Sequence, residues 1–294
     1  MHSPLAYTRR AFLGRTSQGL GALALASLLK PDSLRAAHGV LPSLHLPQKA
    51  KRVIWLSMAG GPSQLELFDY KPKLVELDGK PMPESLTRGQ QLAQLQGEKL
   101  ICQGAMFGFQ KYGAQQTELS TLLPHLGSVV DEICIVKSMT TDAINHDPAH
   151  MFMNTGSQIS GRPSMGAWTT YGLGNEAENL PGFVVLVSTG PGRSPQPIAA
   201  RQWSSGFLPS KYQGVQLRAN GDPVLYLNNP KGVTRDRQRA DVNSINALNL
   251  QRNELVEDPE IATRIAQYEM AFHMQASVPE LMDLRGEGRK ALEL

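Results

Sequence analysis

Three short apolar runs constrain this chain more than any other feature: Arg52–Met58 (RVIWLSM), Ile133–Val136 (ICIV) and Phe183–Val187 (FVVLV). Each is apolar at successive positions, where a half-exposed strand would alternate. A short run of that kind fits a strand buried on both faces, the condition of parallel strands in α/β proteins. Helical patterns fall between the runs, at Glu118–Val130 and Met165–Gly172, with Pro124 expected to kink or restart the first. Strand, helix, strand, helix, strand in this order predicts an α/β fold: a doubly wound, mostly parallel sheet flanked by helices.

The remaining segments fill in around that frame. Residues 69–116 are rich in Pro, Gly, Lys and Gln and read as an irregular excursion; residues 188–232 are loop-rich. From Asp241 the chain turns helical, over Val242–Asn253 and then Pro259–Gln275. In the second of these Ile261, Ile265, Tyr268 and Phe272 recur at helical spacing. No internal repeat is present.

An apolar fraction of 41% and a charged fraction of 19% over 294 residues describe an ordinary globular protein with enough chain for a sizeable core. There is no apolar run of 18 residues, so no integral membrane span is expected in the body. The N-terminus differs in kind. Thr8-Arg9-Arg10-Ala11-Phe12-Leu13-Gly14 is a twin-arginine pattern, and the apolar stretch Gly19–Leu29 behind it has the length of a signal h-region. Residues 1–37 are therefore expected to be a twin-arginine signal peptide, with cleavage near Ala36-Ala37 or retention as an anchor. Residues 38–50 form a flexible lead-in, and 51–294 the folded domain. Export places the protein in the periplasm or outside the cell.

The signal also accounts for the charge. It holds five basic residues and one acid, so the net +3 of the whole chain becomes −1 without it, 24 basic against 25 acidic side chains. Nucleic acid is thus not an expected partner. Cys102 and Cys134 are open to one disulfide in an oxidising compartment, or to a free thiol at Cys134 inside its apolar run.

Chemistry is expected where the first two runs end. Gly60-Gly61-Pro62-Ser63 follows the first and fits either a backbone anion cradle or a plain tight turn; it lacks the spacing and lysine of a Walker loop. After the second comes Ser138–Gly156, SMTTDAINHDPAHMFMNTG. Pro148 near a helix start puts His146 and His150 four residues apart, a separation at which two imidazoles face one metal. Asp142, Asp147 and Asn145 add oxygen donors. The Glu of the zinc-protease motif is missing, and no G-x-S-x-G elbow occurs anywhere. His273 and Glu269 read as a helix-surface pair, and Arg235, Arg237 and Arg239 as a solvated helix entry.

Five blocks together resemble the domain-of-unknown-function family 1501, twin-arginine-exported bacterial proteins placed in the alkaline phosphatase/sulfatase-like superfamily. They are MAGGPSQLELFDYKP (58–72), LLPHLGSVVDEICIVKSM (122–139), NHDPAHMFMNTG (145–156), RPSMGAWTTYGLG (162–174) and GFLPSKYQG (206–214). Sulfatases carry a nucleophile block Cys-x-Pro-Ser-Arg that closes, six residues on, in Thr-Gly. Pro148 and Thr155-Gly156 stand in register with it. The resemblance implies that His146 takes the place of the nucleophile and His150 that of the arginine steadying it, with Asn145 beside them. It further implies a divalent metal, zinc or calcium, held by Asp69, His146 and Asp147, with Glu66 as the alternative to Asp69. Where the superfamily's first strand ends in metal-binding aspartates, this chain has Ala59-Gly60-Gly61. The family's further Asp and His motifs are expected in a C-terminal part that the chain, as an N-terminal portion, does not include.

The resemblance therefore implies an exported metal-dependent hydrolase of phosphate or sulfate esters, acting on a small molecule or a polysaccharide. The alternative is a non-catalytic periplasmic binding or scaffold protein on a degenerate hydrolase fold.

Overall fold

The computed structural model describes residues 39–41, 46–47, 49–90, 95, 97–177, 179–188, 198–218, 223–224 and 228–288. The expected signal peptide, 1–37, lies outside the described residues. Helix makes up 42% of the structure and strand 7%, an arrangement compatible with α/β. The large parallel sheet expected from the sequence is not formed among the described residues. In its place stand two separate two-stranded sheets.

The first sheet is a hairpin within segments read as irregular and as helical. Strand β1 (Phe109–Tyr112) pairs antiparallel with β2 (Thr117–Ser120), Phe109 opposite Ser120 and Tyr112 opposite Thr117. The four-residue loop between them starts at Gly113 (φ 68°) and ends at Gln116 (φ 55°). The Asp131 carboxylate accepts the backbone N–H of Ala114 at 2.8 Å and ties the loop down. This local hairpin takes Thr117–Ser120 away from the expected 118–130 helix. What remains helical is one turn, Pro124–Gly127, and a 3-10 turn, Val130–Glu132. Leu119 is fully buried in the hairpin.

The second sheet is parallel, as expected, but small. Strand β3 (Val184–Leu186) pairs with β4 (Val215–Leu217). Glycines let the layers close on it: a Cβ on Gly166 would lie 2.5 Å from the Phe183 ring, and one on Gly214 at 2.8 Å. Helix α1 (His146–Thr155) is ended by Gly156 in the left-handed region (φ 72°), whose N–H returns to Phe152 O. Helix α2 (Met165–Leu173) starts at Ser164, whose hydroxyl accepts the Ala167 N–H. Residues 39–41 of the lead-in are docked: Val40 N–H donates to Tyr171 O at 2.9 Å and Leu41 N–H to Gly172 O.

The two long helices are those the sequence marks, the first extended at both ends and the second at its C-terminal end. Helix α3 (Arg235–Val256) opens on the Thr234 cap, and α4 (Pro259–Leu281) on the Asp258 cap with proline at its first turn. They pack together, and α4 brings Met274 and Val278 onto Leu217 of β4, with Leu180, Val215, Val224, Met270 and Met282 around them. On α3, Arg235 and Arg239 lie over the Phe272 ring, and Arg239 pairs with Glu269 at 2.5 Å. Of the expected solvated cluster, Arg237 stays exposed and pairs with Asp241, while Arg235 and Arg239 pack on α4; His273 pairs on the helix surface with Glu269 at 4.0 Å.

The other two apolar runs are not strands. Residues 52–58 are extended but unpaired, with Val53, Ile54, Leu56 and Met58 at 74%, 83%, 87% and 68% exposure. Residues 133–136 are likewise irregular and largely exposed. Among the described residues neither run has a neighbouring strand to complete its backbone hydrogen bonds, so β-propensity alone does not make a strand of it. Cys134 is accordingly an exposed free thiol, and Cys102 a buried one.

Candidate functional site

The structure brings together the two loops that the sequence singles out. Gly60 and Gly61 both have positive φ (83° and 59°), a conformation glycine adopts without the Cβ clash of other residues. The turn they form, with Gly61 N–H donating to Met58 O at 3.1 Å, aims the Gly60 N–H at α1. That N–H donates to His150 Nε2 at 2.9 Å. His150 is 9% exposed and Met151 beside it 2%.

A ring nitrogen that accepts a hydrogen bond is unprotonated, so the His150 proton sits on Nδ1 and the ring is neutral. Burial pushes its pKa below the ordinary 6.5, the nearby His146 lowers it further, and Asp147 offsets part of the effect. His150 thus buttresses the glycine turn, with Nε2 already committed. Asn154 fastens the helix behind it by donating from Nδ2 to His150 O at 2.8 Å.

His146 is the first residue of α1 and is exposed; Asn145 is its exposed N-cap, without a side-chain cap bond. Asp147 faces Arg201, and the two form an ion pair from α1 to the 3-10 turn Ala200–Trp203. Asp69 pairs with Lys71 at 2.8 Å and, more distantly, with Lys137 at 4.0 Å. Glu66 accepts the Met106 N–H. Arg201 is the partner that sequence reasoning missed, since nothing in its spacing points 54 residues back to Asp147.

The expected ligand set can be tested against this geometry. A zinc or calcium ion requires several N, O or S donors converging within about 2–2.6 Å of one point. Among the described residues no three His, Cys, Asp or Glu side chains come close enough to share an ion. Asp69 and Asp147 are turned to cations of the protein itself. The set Asp69, His146 and Asp147 does not fit a divalent metal.

Residues 50–294 match the model of a family described as "Protein of unknown function (DUF1501)". The chain belongs to this family. No curated protein and no solved structure matches it. In this family member the glycine turn at 60–61 and the start of α1 form one hydrogen-bonded unit, with the Asp147–Arg201 pair on its flank. No described helix is long and apolar enough to cross a membrane.

Proposed function

We propose that this DUF1501 protein is an exported binding protein on an alkaline phosphatase/sulfatase-like scaffold, in which residues 145–156 stand at the nucleophile loop without its metal ligands. The observation that carries this reading is how the expected catalytic groups are engaged. His150 Nε2 receives the Gly60 N–H, Asp147 faces Arg201, and Asp69 faces Lys71. Groups so engaged hold a shape, and among the described residues they do not converge on one point as the ligands of a metal would. The ligand class is a phosphate or sulfate ester, by the register of Pro148 and Thr155-Gly156 with the sulfatase block. The twin-arginine pattern at Arg9-Arg10 supports export.

The second reading, a hydrolase of such esters, is favoured by one observation: His146 is exposed at the first residue of α1. An imidazole nitrogen there would bond to phosphorus or sulfur as the ester's alcohol leaves with a proton, and water would then release the acid and restore the ring.

Incubating the purified full-length protein with 4-nitrophenyl phosphate and 4-nitrophenyl sulfate separates the two readings. Zinc, calcium or manganese is added in turn, with His146→Ala alongside. The binding reading expects no release above buffer from either protein. Turnover that His146→Ala abolishes contradicts it and establishes the hydrolase.

A further inference from the structure

At the opposite end of α1, roughly 13 Å along the helix from His146 at 1.5 Å per residue, the surface opens into a cleft of about 380 Å³. It is lined by Arg162, Trp168 and Phe207 together with the turn Thr155–Ser157. The volume lies in the range of small-ligand sites. Three features mark it out.

Its wall is built and fixed. A Cβ on Gly206 (φ 56°) would lie 2.4 Å from the Arg162 carbonyl carbon and 2.5 Å from Pro163 N, so the loops carrying Phe207 and Arg162 touch backbone to backbone. Ser164 N–H donates to Ser204 O at 3.0 Å, and Pro163 is fully buried. Phe207 meets Trp168 edge-on at 5.7 Å, and Tyr171 also meets Trp168 edge-on at 5.9 Å.

Two large rings are nevertheless left half in water, Trp168 at 45% and Phe207 at 55% exposure. Beside them Arg162 makes no side-chain hydrogen bond or ion pair among the described residues, and no carboxylate lines the cleft. The site therefore joins aromatic surface to a cation that no described carboxylate compensates.

We propose that this cleft binds an anionic glycan, a pyranose unit carrying sulfate or carboxylate. The flat C–H face of a pyranose matches the exposed indole and phenyl surfaces, which are apolar yet tolerate water. The planar guanidinium pairs with two oxygens of a sulfate or carboxylate at once. The turn hydroxyls suit a sugar as well. Thr155 Oγ1 donates to Met151 O at 2.7 Å and accepts the Ser157 N–H, and Ser157 Oγ donates to Ile159 O at 3.2 Å and accepts the Ile159 N–H, so each keeps one lone pair to accept a sugar hydroxyl. A neutral sugar leaves Arg162 without a partner, and a bare anion leaves both rings uncovered. The cleft stands apart from His146 and needs no turnover there.

Calorimetric titration of the full-length protein tests this with four probes: a sulfated galactan tetrasaccharide, a galacturonate tetrasaccharide, a neutral galactan tetrasaccharide and inorganic sulfate. At least one charged glycan is expected to bind ten-fold or more tighter than the neutral glycan and than sulfate. Which one does so identifies the anion. Arg162→Gln and Trp168→Ala, both at exposed positions and checked for unchanged circular dichroism, should each weaken that binding ten-fold or more. The proposal is overturned if neither charged glycan binds, if sulfate alone binds as tightly, or if binding survives both substitutions. Binding is read without catalysis, so failure here leaves the reading of the His146 site standing, and the reverse.

Discussion

Helix α4 and the run at 52–58 both carry apolar residues, and those residues end in opposite environments. In α4, Ile261 and Phe272 are buried, and Met274 and Val278 pack on Leu217 of β4. At 52–58, Val53, Ile54 and Leu56 stand in water. The difference is one of partners. A helix satisfies its own backbone, and α3 and α4 are neighbours in the chain, so they can pack together after a two-residue connection, Glu257-Asp258. A central parallel strand satisfies nothing by itself and needs strands from distant sequence on both edges. β3 obtains one such neighbour in β4, and the runs at 52–58 and 133–136 obtain none among the described residues.

The sharpest way to break this comparison is to truncate one residue from each region. Met274→Ala removes a side chain packed between α4 and β4 and is expected to cost about 2–5 kcal/mol in urea denaturation. Leu56→Ala, at 87% exposure, should stay within about 0.5 kcal/mol of the parent. A large loss at Leu56 would mean that the run is buried against something the comparison omits.

A smaller effect is expected at the helix connection. Asp258 Oδ1 accepts the Glu260 N–H at 3.1 Å and starts α4. Asp258→Ala should lower stability by about 1 kcal/mol, and Asp258→Ser should recover most of it. An equal loss in both variants would show that capping is not what Asp258 contributes.

The smallest effect concerns pH. The pKa of His150 is lowered in the folded state, so below 6.5 the unfolded chain binds the proton more readily. Its contribution is therefore complete above about pH 6.5 and is lost as the pH falls through the lowered folded-state value. Protonation also removes the acceptor for the Gly60 N–H. Denaturation midpoints should drop over that window in the parent and not in His150→Gln, which keeps an acceptor without titrating there. A drop of the same size in His150→Gln would place the acid sensitivity elsewhere.

What could be read from sequence follows the same line. The long helices were legible because their signals are local: Thr234, Asp258-Pro259 and apolar residues at helical spacing. Gly60-Gly61 and His146–His150 each carry a conspicuous pattern in sequence, and the fold joins them with one hydrogen bond. The β1–β2 hairpin was missed because Glu118–Val130 also carries a helical pattern, and only the Gly113–Gln116 turn with its Asp131 clamp decides between them. The partners of the expected ligands were not legible either. That Arg201 faces Asp147, or that Gly60 meets His150, depends on contacts 54 and 90 residues apart in the chain. The cleft at Arg162 was hidden for the same reason, since Phe207 reaches it through Gly206 from another part of the sequence.

The central claim is that the 145–156 site binds without a resident metal. Elemental analysis of the purified full-length protein, after overnight exposure to zinc, calcium and manganese and exhaustive buffer exchange, tests it most directly. The account predicts well under one equivalent of any of the three, unchanged in His146→Ala. One equivalent of metal that disappears in His146→Ala would contradict it.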